Sequence, residues 1–110
     1  MQVLLGECVP RPLHPYLKSI DYCTVQQMGW RGKKNGELLT LMKQEGIGIL
    51  LTIDQNLRFQ QNLQQAGIAV IVIKAKSNKT KHLLSAIPEV LATVAVIQAG
   101  SYVEIEAWLP

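Results

Sequence analysis

Three carboxylates stand where an α/β chain would place chemistry: Glu7, Glu37 and Asp54. Glu7 directly follows the apolar run VLLG, Asp54 closes the run ILLTI, and Glu37 falls in the first turn of a helical pattern. Ligands in open α/β sheets sit beyond the carboxyl ends of the strands, so the three acids are expected near one edge. Clustered carboxylates repel one another unless a cation compensates them. Oxygen ligands suit hard divalent ions, Mg²⁺ or Mn²⁺, which keep several waters for substrate phosphates. Two such ions activate water and stabilise the leaving oxygen in phosphodiester cleavage. Each acid also has a purely structural use. Asp54 can cap the next helix, Glu37 suits a helix N-terminus, and Glu7 can be solvated.

Basic residues fall into two groups. Arg31, Lys33 and Lys34 surround Trp30 in the segment QQMGWRGKK, and Lys74 and Lys76 open a second basic segment that continues to Lys79 and Lys81. Both groups follow expected strands and can flank the same edge, where they would hold a phosphate backbone. Trp30 would then stack on a base. The competing reading is a solvated basic loop with Trp30 packed inward. His14 and His82 show no metal-ligand spacing and no neighbouring nucleophile, and Cys8 and Cys23 read as buried small hydrophobes. GxGxxG, Walker and GxSxG patterns are absent, which leaves nucleotide-cofactor and hydrolase-triad readings little support.

The elements that must position these residues alternate between strand and helix. Apolar runs at residues 2–5, 22–25, 49–53 and 68–73 read as strands, and 102–106 alternates like an edge strand. Between them, Pro10 and Pro12 suit the first turn of a helix. Residues 26–34 read as a loop or frayed turn. Asn35 is expected to cap a second helix that Gly46 stops, and a third runs over about 57–66 to Gly67. A last helical region covers about 79–97, with a kink or a new start at Pro88. This predicts a three-layer α/β/α sandwich around a central, mostly parallel sheet of about five strands, in a single domain over residues 1–110. At 110 residues and 48% hydrophobic composition, the chain can bury a core without disulfides or metals. Residues 86–99, the most apolar long stretch, are too short for a membrane span and carry Pro88 and Glu89. Two cysteines and no basic leader point to a reduced cytoplasm, and a net charge of +3 permits an anionic partner.

LLGECVP, GWRGKKNGELL, LLTIDQNLRFQQNL and IAVIVIKAKSN, in that order, resemble the small PIN-like proteins of bacteria, in particular the toxin branch of toxin–antitoxin pairs. The resemblance spans nearly the whole chain. It implies a PIN-like sandwich and magnesium-dependent RNA cleavage, with RNA as substrate and a cognate antitoxin as partner. In that family the first strand ends in an LLDE-type sequence whose aspartate is the expected first metal ligand. Here Gly6 takes that place and only Glu7 is kept, while Glu37 and Asp54 match the other two acids. A fourth acid expected after the next strand is missing, since the segment reads Lys74-Ala75-Lys76-Ser77-Asn78. Glycine offers no side-chain ligand, so cleavage is expected to be impaired. The alternative is a non-catalytic module on the same fold that binds RNA or a protein. A receiver-type phosphoacceptor fits poorly, because strand four ends in Ile73-Lys74 rather than Ser or Thr, and strand five ends in Glu104-Ile105-Glu106 rather than Lys. The apolar last helix and the edge strand would also suit a homodimer.

Overall fold

A computed structural model of the chain describes residues 1–53 and 63–107. Five strands form one sheet: β1 (Val3–Leu5), β2 (Tyr22–Thr24), β3 (Ile49–Thr52), β4 (Ala69–Lys74) and β5 (Tyr102–Glu106). Their order is β2-β1-β3-β4-β5, and every pairing is parallel. Parallel neighbours cannot be joined by tight hairpins, so each connection carries helix. In chain order these are a 3₁₀ helix at Arg11–Leu17, α1 (Val25–Met28), α2 (Asn35–Glu45), α3 (Leu63–Ala66), α4 (Thr80–Leu83), a 3₁₀ turn at Leu84–Ala86 and α5 (Ile87–Val96).

The inner strands β1, β3 and β4 are apolar at nearly every position because they are buried on both faces. Val3, Leu5, Ile49, Leu51, Ile71 and Ile73 point into one apolar cluster with Leu13, Leu17, Leu83 and Val90. Their alternates Leu4, Leu50, Val70 and Val72 point into a second, with Leu38, Leu39, Met42 and Leu63. Period-two alternation therefore sorts one continuous hydrophobic run between two cores. Each fully buried Leu or Ile contributes about 1.5–3 kcal/mol relative to exposure. The result is an α/β sandwich on an all-parallel sheet, more regular than the mostly parallel sheet expected.

Local sequence explains most boundaries. Gly46 and Gly67 close α2 and α3 in the left-handed region, at φ 75° and 69°, as expected of both. Pro88 begins a new helix rather than bending an old one: it sits in the first turn of α5, where no N–H is needed. Tyr102–Glu106 is an edge strand, paired with β4 alone.

Two expectations are corrected. The segment 26–34 is not all loop, because Thr24 Oγ1 accepts the Gln27 N–H at 3.1 Å while Gln27 Oε1 accepts the Thr24 N–H at 2.9 Å. That reciprocal pair starts α1, which trims β2 by one residue, at Val25. Asn35 is the first residue of α2 rather than its cap. Lys34 holds the cap position, and its N–H is taken by Glu37 Oε1 at 3.4 Å. The early part of the third helix expected at 57–66 lies outside the described residues.

Candidate functional site: the crevice between β1 and β3

Strand order decides where a crevice opens. From β1 the chain moves outward to β2, then crosses back to place β3 on the other side of β1. Connections leaving β1 and β3 therefore diverge, and the gap at their carboxyl ends is the ligand position of this topology. A cleft of about 200 Å³ lies there, lined by Gly6, Glu7 and Cys8 after β1, Leu50 and Thr52 of β3, Lys33 in the loop before α2 and Leu38 in its first turns.

The floor is tight at Gly6. Its N–H donates to the Leu51 carbonyl at 2.8 Å and its own carbonyl accepts the Val9 N–H at 3.0 Å, so backbone turns sharply out of β1. A Cβ at this position would stand 3.2 Å from Thr52 Oγ1 and 3.3 Å from the Leu51 carbonyl oxygen. The glycine lets β1 and β3 approach closely here, at the position where the resemblance expects an aspartate.

Of the three acids, Glu7 lines the cleft and is exposed, and its Oε1 accepts the Gly32 N–H at 3.0 Å. It thereby ties the loop after α1 to the end of β1. Glu37 lies outside the cleft wall: it receives the Lys34 N–H, and its Oε2 is 3.9 Å from Lys33 Nζ. Asp54 lies outside the described residues. No three His, Cys, Asp or Glu side chains converge on a metal position among the described residues. Glu7 and Glu37 each keep acceptor capacity beyond these bonds, since an ionised carboxylate offers about four lone-pair sites. Carboxylate oxygens are the type of donor that a hard divalent cation takes.

The basic residues divide differently from expectation. Lys33 lines the cleft, and Arg31 and Lys34 are exposed beside it. Lys74 is paired with Glu104 at 3.9 Å, and Lys76 is exposed. Trp30 follows the competing, inward-packed reading: only 9% exposed, it packs in the cluster of Cys23, Val25, Leu38, Leu39 and Met42. Its ring anchors the basic loop to the core, which removes it from any base-stacking surface in this conformation.

The structure corrects the reading of Cys8 as buried and of His82 as lacking a neighbouring nucleophile, and adds Thr52 as a cleft residue. Cys8 is exposed in the cleft, its Sγ 3.6 Å from Thr52 Oγ1, whereas Cys23 is buried as expected and burial, then Asp21, pushes its thiol pKa up. Thr52 is a cleft residue by period-two spacing from Leu50, a signal present in the sequence. His82 does have a neighbouring hydroxyl, since its Nδ1 is 2.6 Å from Ser77 Oγ. His14 meets Tyr22 edge-on, with ring centroids 5.8 Å apart. No helix among the described residues is long and apolar enough to cross a membrane.

Comparison with family models, curated proteins and solved structures returns no match for this chain.

Proposed function

We propose that this chain is a PIN-like protein of ribonuclease type that takes RNA into the crevice between β1 and β3, and in which Gly6 impairs cleavage. The observation that carries the reading is the coincidence of Glu7 and Lys33 in a cleft at the switch point of the sheet. Glu7, Glu37 and Asp54 are the residues that would hold Mg²⁺ or Mn²⁺. A bound ion of that kind supplies activated water and charge neutralisation at the phosphate. Lys33 would hold a non-bridging phosphate oxygen, and Arg31 and Lys34 would extend the positive track along the backbone. Gly32 keeps Glu7 in place through its N–H.

One observation favours a second reading, a non-catalytic module that binds RNA or protein. Both described acids already accept backbone N–H bonds, so each is held by the fold itself without a metal. Calorimetry with Mn²⁺ and an RNA-cleavage assay separate the two readings when run on the parent, Asp54→Asn and Gly6→Asp proteins. The first reading expects weak Mn²⁺ binding and cleavage, lost in Asp54→Asn and raised in Gly6→Asp. If neither the parent nor Gly6→Asp binds Mn²⁺ while both remain folded, the nuclease reading is wrong and the binding module stands.

A further inference from the structure

The turn between β4 and α4 gathers a cluster of positive charge. Lys76, Lys79 and Lys81 are exposed there, and among the described residues none of them has a carboxylate partner. Lys74, at the end of β4, is by contrast paired with Glu104. The crowding is felt at His82: partial burial, then the ammoniums of Lys81, Lys76 and Lys79, hold its imidazole below the ordinary value of 6.5. Three lysine ammoniums thus lie near enough to His82 to disfavour its protonation.

The imidazole is also held in place. Its Nδ1 is 2.6 Å from Ser77 Oγ, and that same oxygen accepts the Lys79 N–H at 3.1 Å. Ser77 Oγ can accept the Lys79 N–H and donate its own proton to Nδ1, and in that tautomer the neutral ring carries its proton on Nε2. The backbone closes the same turn, with the His82 N–H on the Lys79 carbonyl at 2.9 Å. In that tautomer an N–H donor stands beside three ammoniums that have no carboxylate partner among the described residues.

We propose that the β4–α4 turn binds a phosphomonoester dianion, with Lys76, Lys79 and Lys81 supplying the charge and the Ser77–His82 pair a fixed donor. A phosphomonoester carries about −1.5 to −2 charges at neutral pH and three terminal acceptor oxygens. A backbone phosphodiester brings a single charge, which matches a cluster packed into one turn less well. The turn lies at the carboxyl end of β4, next to β3, on the same sheet edge as the crevice. It uses none of Glu7, Glu37 or Asp54, so it does not depend on the metal reading of that crevice.

The site is tested with inorganic phosphate, AMP, and one short RNA prepared with a 5′-phosphate and with a 5′-hydroxyl. His82 imidazole resonances are followed by NMR and RNA affinity by fluorescence anisotropy, on the parent, Lys76→Gln/Lys79→Gln and Ser77→Ala proteins. The expected result is a shift of the His82 resonances with AMP and about tenfold tighter binding of the 5′-phosphorylated RNA. Both should be lost in the double lysine variant and weakened in Ser77→Ala. A response to phosphate and AMP without preference between the RNAs supports the site and assigns it to small phosphates rather than RNA ends. No response to any probe at millimolar concentration, or equal responses of the parent and the folded lysine variant, overturns the proposal. The His82 shift with AMP and the preference between the two RNAs do not call on the crevice metal, so the crevice reading can fail without touching this one.

Discussion

Replacing Gly6 with alanine asks whether the β1–β3 edge is closed to side chains. The new Cβ would lie 3.2 Å from Thr52 Oγ1, 3.3 Å from the Leu51 carbonyl oxygen and 3.4 Å from Thr52 Cβ. The carbonyl is backbone and already holds the Gly6 N–H at 2.8 Å, so it cannot retreat without loosening the pairing of β1 with β3. Overpacking of this kind costs about 1–3 kcal/mol. Alanine also restricts the unfolded chain, which offsets about 0.4–1 kcal/mol, and Gly6 is not among the positive-φ glycines, so no left-handed strain is added. The net expectation is a loss of about 0.5–2 kcal/mol. Urea unfolding of the parent, Gly6→Ala, Thr52→Ala and the double variant measures it. Because Thr52 supplies two of the three close atoms, the double variant should recover part of the loss, with a coupling of about 0.5–1.5 kcal/mol. Gly6→Asp starts from the same steric penalty, and a bound metal at about a hundred times its Kd would return about 2.7 kcal/mol. A Gly6→Ala protein as stable as the parent, with effects that add to those of Thr52→Ala, would refute the steric reasoning.

Other consequences can be checked with the same unfolding measurements. Thr24→Ala removes half of the reciprocal cap on α1 and should cost about 1 kcal/mol, whereas Thr40→Ala, on the exposed face of α2, should change little. Ile71→Ala, in the fully buried centre of β4, should cost about 2–5 kcal/mol. His14, chiefly through burial, and His82 both have folded values below 6.5, so the unfolded chain binds more protons near that pH. The stability they contribute is present above 6.5 and is lost as pH falls through the lower folded values. The urea midpoint should therefore be higher at about pH 7.5 than at about pH 5.5, a window above most carboxylate titration. The His14→Gln/His82→Gln variant should flatten that difference, and an unchanged slope would remove histidine as its source.

Much of the fold was legible because its causes are local. The β-branched run before Lys74 could only bury itself as a central strand, and that run is β4. Gly46 and Gly67 stop helices because a left-handed residue is needed just past the last turn. Pro88 starts α5 for an equally local reason, as its missing N–H is harmless in a first turn. The Thr24–Gln27 pair was legible too, as a Thr-x-x-Gln spacing, but the polar composition around it suggested a loop instead.

Tertiary structure decided what faces what. Trp30 and Cys8 have surroundings that spacing does not reveal: the aromatic ring went into the core beside Met42, and the thiol went out to the cleft. Whether Gly6 has room for a side chain depends on Thr52, which reaches it only because β3 pairs directly with β1. The site of the crevice follows from strand order, and order is set by pairings between residues far apart in the chain. Periodicity and caps act over a few residues and can be read from them. The company a side chain keeps is fixed by long-range burial and register, which exist only once the chain has folded.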